Sequence, residues 1–285
     1  MTGKTILIAD AGSTKVEWAS LAADGTVVKR HTSGGINALL AEAEDVASAF
    51  REVREELGGT GTFSEIHYYG AGCATERVCT RMKELIGEVW TSPEIHVESD
   101  LLGASRALFG DKPGIACILG TGSNSCLYDG QKIANNVPSL GYVLGDEGSG
   151  AALGKRLVSD AFKRRVPDKI CNDFLSEYGL TLESILDSVY RSPAPNRFLA
   201  SLVPFISKTL WNPYIYSIVL EEFKRFITRN VAAYEGAHSL PVSFVGGIAC
   251  GFEEILRKAA SSQGFEVFQV MKAPMEGLIS YHASH

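Results

Sequence analysis

Two short stretches combine glycine, hydroxyl and charged residues in the way an oxyanion site does. Asp10-Ala11-Gly12-Ser13-Thr14-Lys15 follows a short apolar run, Ile6–Ala9. Glycine lets the backbone close on a bound anion, and successive amides of a tight turn point inward as a nest. The Ser13 and Thr14 hydroxyls and the Lys15 ammonium add donors, and Asp10 at the strand end suits a magnesium ion held through water. Gly120-Thr121-Gly122-Ser123-Asn124 repeats the device after Ile115–Leu119. Taken alone, the first stretch reads better as a polar hairpin turn. As a pair, each closing the first hairpin of its half, they point to the phosphates of one nucleotide.

Other stretches have two readings each. Gly246-Gly247-Ile248-Ala249 stands between a strand-like run and a helix-like one, where bare backbone can face a flat ring or a ribose, or simply turn. Gly145-Asp146-Glu147-Gly148-Ser149-Gly150 sets two carboxylates among small residues before a helix. Asp146 there can accept bonds from a polyhydroxylated substrate, or the segment can be a capped loop. Asp100, after Ser99, is either a helix cap or a general base. Gly34-Gly35-Ile36-Asn37 and Gly70-Ala71-Gly72 are further loops after strands. Gly3-Lys4-Thr5 imitates the end of a P-loop, but it lacks the upstream glycine and precedes a strand, so it reads as N-terminal tail. No Ser-His-Asp or Cys-His spacing suggests covalent hydrolysis.

The elements that must position these loops follow from periodicity. Strands are expected at Ile6–Ala9, Val16–Leu21 and, after the Asp24-Gly25 turn, Val27–His31. Val46, Phe50, Val53 and Leu57 mark one face of a helix over Glu42–Leu57. A strand at Ile66–Tyr69, a helix at Arg77–Val89, a strand at Ile95–Glu98 and a helix at Leu101–Phe109 complete the first part. Near Pro113 the plan restarts with strands at Ile115–Leu119, Ser123–Tyr128 and from Lys132 onward. The shared order of strand, glycine-and-hydroxyl turn, strand, Asp-Gly turn and strand suggests internal duplication. Residues 149–234 read as helical, with the longest apolar stripe over Tyr214–Tyr234. The chain then returns to a strand at Val242–Val245, a helix over Cys250–Ala260, a strand at Glu266–Phe268 and a last helix after Pro274.

Composition narrows the partners. The chain has 285 residues, 45% of them hydrophobic and 21% charged, enough for a sizeable core and against wholesale disorder. With 27 basic against 33 acidic residues the net charge is -6, which argues against nucleic acid or an anionic membrane as the main partner. No run reaches the ~18 apolar residues of a membrane span, and no signal-peptide core opens the chain. The six cysteines show no CxxC pair and read as reduced thiols of a cytoplasmic protein. His282 and His285 read as part of a frayed tail.

Together these stretches resemble the sugar-kinase side of the actin, hexokinase and heat-shock ATPase superfamily, and within it N-acetylglucosamine kinase and its relatives in the BadF/BadG-type ATPase family. The most specific segments are Leu119-Gly120-Thr121-Gly122-Ser123-Asn124 and Gly145-Asp146-Glu147-Gly148-Ser149. The resemblance implies an α/β chain of two ribonuclease-H-like domains, the actin-like ATPase fold, facing across a central cleft. One would cover residues 1–112, completed by a helix within 273–285; the other would cover 113–272 with a helical insertion. It implies ATP and Mg2+, with Asp10, Gly12, Ser13, Thr14 and Lys15 as the first phosphate loop. Gly120, Thr121, Gly122 and Ser123 would form the second, and Gly246 and Gly247 the adenosine motif. Asn37, Gly72, Asp100, Gly141 and Asp146 would bind the sugar, and Asp100 would be the base for its hydroxyl. One departure bears on the sugar: where acetylglucosamine kinases carry Gly-Gly-Trp-Gly, this chain has Pro138-Ser139-Leu140-Gly141. An ATPase that activates a redox enzyme through an iron–sulfur cluster, or a sensor without turnover, is the competing expectation. A homodimer stays open.

Overall fold

The computed structural model describes residues 5–285, so Gly3 and Lys4 of the P-loop-like tripeptide lie outside the described residues. The chain divides into two compact units. The first holds everything described up to Lys112, together with Asp129–Ile133 and Ala273–His285; the second holds Pro113–Tyr128 and Ala134–Lys272.

In the first unit, strands β1 (Ile6–Ala11), β2 (Lys15–Leu21), β3 (Val27–Gly34), β4 (Glu65–Gly70) and β5 (Glu94–Ser99) form one sheet in the order β3-β2-β1-β4-β5. β1 pairs antiparallel with β2 and parallel with β4, and β4 runs parallel to β5. As the central strand, β1 is buried on both faces, which is why Ile6, Leu7, Ile8 and Ala9 read as an unbroken apolar run. Helices α1 (Ala43–Glu56) and α2 (Glu76–Val89) cover one face. There Trp18, Phe50, Tyr68 and Trp90 pack with ring centroids 5.6–6.2 Å apart. Helix α3 (Asp100–Phe109) lies on the other face. There too the final helix of the chain seats Met275, Leu278 and Ile279 against Ile6, Ile8, Ala19 and Leu21.

The second unit repeats the plan. Strands β6 (Gly114–Leu119), β7 (Ser123–Tyr128), β8 (Ile133–Val137), β9 (Val242–Val245) and β10 (Val267–Met271) are ordered β8-β7-β6-β9-β10, the same sequence of roles as in the first sheet. The β6–β7 pair is antiparallel, and β6–β9 and β9–β10 are parallel. Between β8 and β9 run α4 (Gly141–Leu144), α5 (Gly150–Phe162), α6 (Asp168–Glu177), α7 (Leu182–Tyr190), α8 (Pro195–Ala200), α9 (Val203–Lys208) and α10 (Pro213–Arg229). After β9 come α11 (Gly247–Gly251) and α12 (Glu253–Ser261), and the chain ends on α13 (Met275–Ser284), the helix packed in the first unit. Among the described residues no helix is long and apolar enough to cross a membrane.

Three local expectations need correction. The single helix expected over Cys250–Ala260 is two, broken at Phe252, whose ring is buried in the core and holds a non-helical backbone. The long helix ends at Arg229, followed by a separate tight turn at Val231–Ala233. His282 is not part of a frayed end. It is 6% exposed, with Nε2 2.9 Å from Tyr69 Oη. α4 had no signal because four residues carry no period, and it starts at two left-handed residues, Leu140 and Gly141.

Candidate active site

In the first unit the predicted residues collect at the C-terminal ends of neighbouring parallel strands, the place where open α/β sheets present ligands. Asp10 lies one residue before the end of β1, across from Tyr69 of β4, and Gly70 is in turn across from Ser99 of β5. The Gly12-Ser13-Thr14 turn is closed by Gly12 N donating to Lys15 O at 3.0 Å. From outside, Gly35 N donates to Thr14 O at 3.1 Å and Ile36 N to Gly12 O at 3.1 Å. Gly35 is there because nothing larger fits: a Cβ would stand 2.3 Å from Ser13 O. That packing brings Asn37 beneath the turn, with Nδ2 3.5 Å from Ser13 Oγ and Oδ1 accepting from Leu39 N. Gly72 lies against Asn37 and Leu39, and Ala38 N donates to Ala71 O at 2.8 Å. Thr14 and Lys15 face outward, and the Lys15 ammonium is paired with Glu17.

Asp100 is not the helix cap. Ser99 is the cap, its Oγ accepting from Leu102 N at 3.2 Å, and Asp100 is the first helical residue. Burial pushes the Asp100 carboxyl up to about 6, opposed by the amides of Leu101 and Asp100 itself. Asp10 is pushed up to about 7, first by burial, then by the charges of Asp100 and Glu17, against a smaller pull from Lys15. Two recessed carboxyls that repel each other suit a hard divalent cation, and Asp10 fits that role. Among the described residues no three His, Cys, Asp or Glu side chains group as a metal cage. Such an ion would therefore take its remaining ligands from water and phosphate, as Mg2+ habitually does.

In the second unit the Gly120-Thr121-Gly122 turn joins β6 to β7, with Gly120 N donating to Gly122 O at 2.9 Å. The segment before α5 grips it: Gly150 N donates to Gly120 O at 2.8 Å and Ala151 N to Thr121 O at 3.0 Å. Ser123 N donates to Asp146 Oδ1 at 3.0 Å. Gly246, with φ +128°, crosses so close to β6 that a Cβ would stand 2.2 Å from Leu119 O. Gly247 is exposed, with open space above it. Gly141 opens α4, where Leu140, Val143 and Leu144 are all exposed. Thus Asp10, Gly12, Ser13, Asn37, Gly72 and Asp100 meet in one unit, and Gly120, Thr121, Gly122, Ser123, Asp146 and Gly246 in the other. Sequence reading missed Gly35 and Ser99. Gly35 was legible only as one of two adjacent glycines, and Ser99 only as one of two residues able to cap.

No family model matches the chain, and no curated protein does. Solved structures match along its whole length and define its class: it has the actin-like ATPase fold, built from two ribonuclease-H-like sheets. A protein of Porphyromonas gingivalis, provisionally named N-acetylglucosamine kinase, is 42% identical over 98% of this chain and 99% of its own, with a TM-score of 0.91. At that likeness the chain belongs to the N-acetylglucosamine kinase and BadF/BadG-type ATPase family. A Chromobacterium violaceum protein given the same provisional name is 18% identical over 99% of each chain, with a TM-score of 0.79. A Streptomyces griseus ROK glucokinase, solved with glucose and AMPPNP, shares the fold at 12% identity and a TM-score of 0.54, covering 98% of this chain and 97% of its own.

Proposed function

We propose that the protein is an ATP-dependent sugar kinase of the cytoplasm, transferring a phosphoryl group to a hydroxyl of N-acetylglucosamine or a related N-acetylhexosamine. The observation that carries this reading is the buried Asp100 carboxyl, at the start of α3 directly after β5 and close enough to Asp10 to raise its pKa. Family membership, with a relative 42% identical that is provisionally named for this activity, supports it.

In this reading the turns at Gly12–Thr14 and Gly120–Gly122 donate amides and hydroxyls to the phosphate oxygens of ATP. The bare backbone at Gly246 and Gly247 lies along the nucleoside. Asp10 would hold Mg2+ through water, and the bound ion would supply charge neutralisation at the outer phosphates. Asn37, Gly72 and Gly141 line the sugar, whose acceptor hydroxyl hydrogen-bonds to Asp100. As that oxygen bonds to the γ-phosphorus, the bond from phosphorus to the bridging oxygen breaks and ADP leaves. The hydroxyl proton passes to Asp100. A carboxyl held near 6 by burial is ionised enough at neutral pH to accept it, and basic enough to be worth the transfer.

ATP consumption measured with N-acetylglucosamine, N-acetylmannosamine, N-acetylmuramic acid, glucosamine and glucose, one at a time, tests the substrate class. Asp100→Asn tests the mechanism: turnover should fall by ~10²–10⁴-fold with the fold intact. Near-normal sugar-dependent turnover in that variant refutes the assigned role.

A further inference from the structure

Tyr68 brings a hydroxyl into an otherwise apolar cluster. The residue is 1% exposed, and its ring is held by Trp18 and Phe50, with centroids 6.2 and 5.9 Å away. Phenylalanine would pack there equally well, yet the phenol Oη is buried with no hydrogen-bond partner. Burying a hydroxyl without an acceptor costs free energy, so where this one points matters.

The ring runs along β4 toward the C-terminal end of the strand. Gly70, two residues on and on the same face, is bare beneath it: a Cβ there would stand 2.5 Å from Tyr68 Cε1 and 3.3 Å from Cδ1. The closer contact is with the outer part of the ring, so Oη reaches the level of Gly70. Gly70 is in register with Ala11 of β1 and with Ser99 of β5. Those two residues adjoin Asp10 and Asp100 in the chain, so the hydroxyl ends between the strand ends that carry both carboxyls. Burial raises the phenol well above its usual value of 10, and Cys73, Asp10 and Asp100 add to the effect. At neutral pH the group keeps its proton and is a donor.

Three groups with complementary needs therefore converge. Tyr68 has one hydrogen to give, and Asp10 and Asp100 are recessed carboxyls that gain from any donor. A water molecule accepts one hydrogen and donates two, and buried waters commonly make about three hydrogen bonds to polar groups of this kind. We propose that Tyr68 is a positioning residue of the catalytic centre: its hydroxyl seats one ordered water whose two hydrogens go to Asp10 and Asp100, fixing both carboxyls and easing their mutual repulsion. The inference rests on the kinase reading only for the role of those carboxyls.

High-resolution crystal structures of the wild type and of Tyr68→Phe, each without ligands, test the placement; kinetics and melting of the same two proteins test its effect. The wild type should show a water within hydrogen-bond distance of Tyr68 Oη and of both carboxyls, and the variant should lose it while the ring stays in place. In Tyr68→Phe kcat should fall about tenfold, the worth of one hydrogen bond, with KM for ATP and for the sugar within about twofold of wild type. The melting temperature should not fall, because the ring and its packing are kept. A wild-type Oη that is dry, or bonded only to some other acceptor, overturns the inference, as does a variant with wild-type kcat. A loss of kcat that comes with a lower melting temperature assigns Tyr68 to packing and overturns it too. Wild type without sugar-dependent ATP turnover sinks the kinase reading, while the crystal structures still decide whether the water is seated. Should Tyr68→Phe not fold, the wild-type crystal structure decides that alone.

Discussion

His67 should make the first unit acid-labile, and the size of the effect follows from its surroundings. The ring stacks on His96, with centroids 4.8 Å apart, and meets His282 at a tilt, with centroids 3.9 Å apart. Its Nε2 meets Glu65 Oε2 at 3.0 Å, while Nδ1 is buried with no hydrogen-bond partner. Burial pushes the imidazole from 6.5 down to about 4; the Glu65 bond opposes this, and His96 and Arg106 reinforce it. The folded state therefore favours the neutral ring. Its contribution is complete above the unfolded value of 6.5 and is lost as the pH falls through about 4. At ~1.4 kcal/mol per pH unit, crossing that window removes ~3 kcal/mol, a large part of the stability of an ordinary domain. Trp18 and Trp90 are buried in this unit, whereas Trp211 is 72% exposed in the other, so a Trp211→Phe background gives fluorescence from the first unit alone. Urea unfolding at pH 7.5 and 4.5 in that background, with and without His67→Gln, isolates the term. Other carboxylates and histidines titrate in both proteins, but only the parent should show the additional ~3 kcal/mol loss. Equal losses in the two proteins would refute the argument.

Three further outcomes are expected. Gly247→Ala adds a methyl group to open space and should leave thermal stability unchanged while raising KM for ATP; Gly246→Ala meets Leu119 O and a φ of +128°, and should lower stability by at least ~1–3 kcal/mol in a melting experiment. Phe50→Ala, at the centre of the aromatic cluster and fully buried, should cost ~3–5 kcal/mol in urea unfolding.

Much of the architecture was open to reading residue by residue, because strands, helices and tight turns are determined over a few neighbours. The apolar run before Asp10, the Asp24-Gly25 and Asp129-Gly130 turns and the stripe on α10 each announce their element locally. The repeated order of those signals already suggested two sheets of one plan. What tertiary structure decided are the pairings between distant residues. Ser123 meets Asp146 across 23 positions and Tyr69 meets His282 across 213, and no local period encodes either meeting. The same holds for Ser99 taking the cap ahead of Asp100, for Gly35 packing under Ser13, and for the helix break at Phe252. In each case several residues were chemically competent, and the choice fell to the one whose backbone the packed sheet had already placed, since burial penalises every polar group left without its partner.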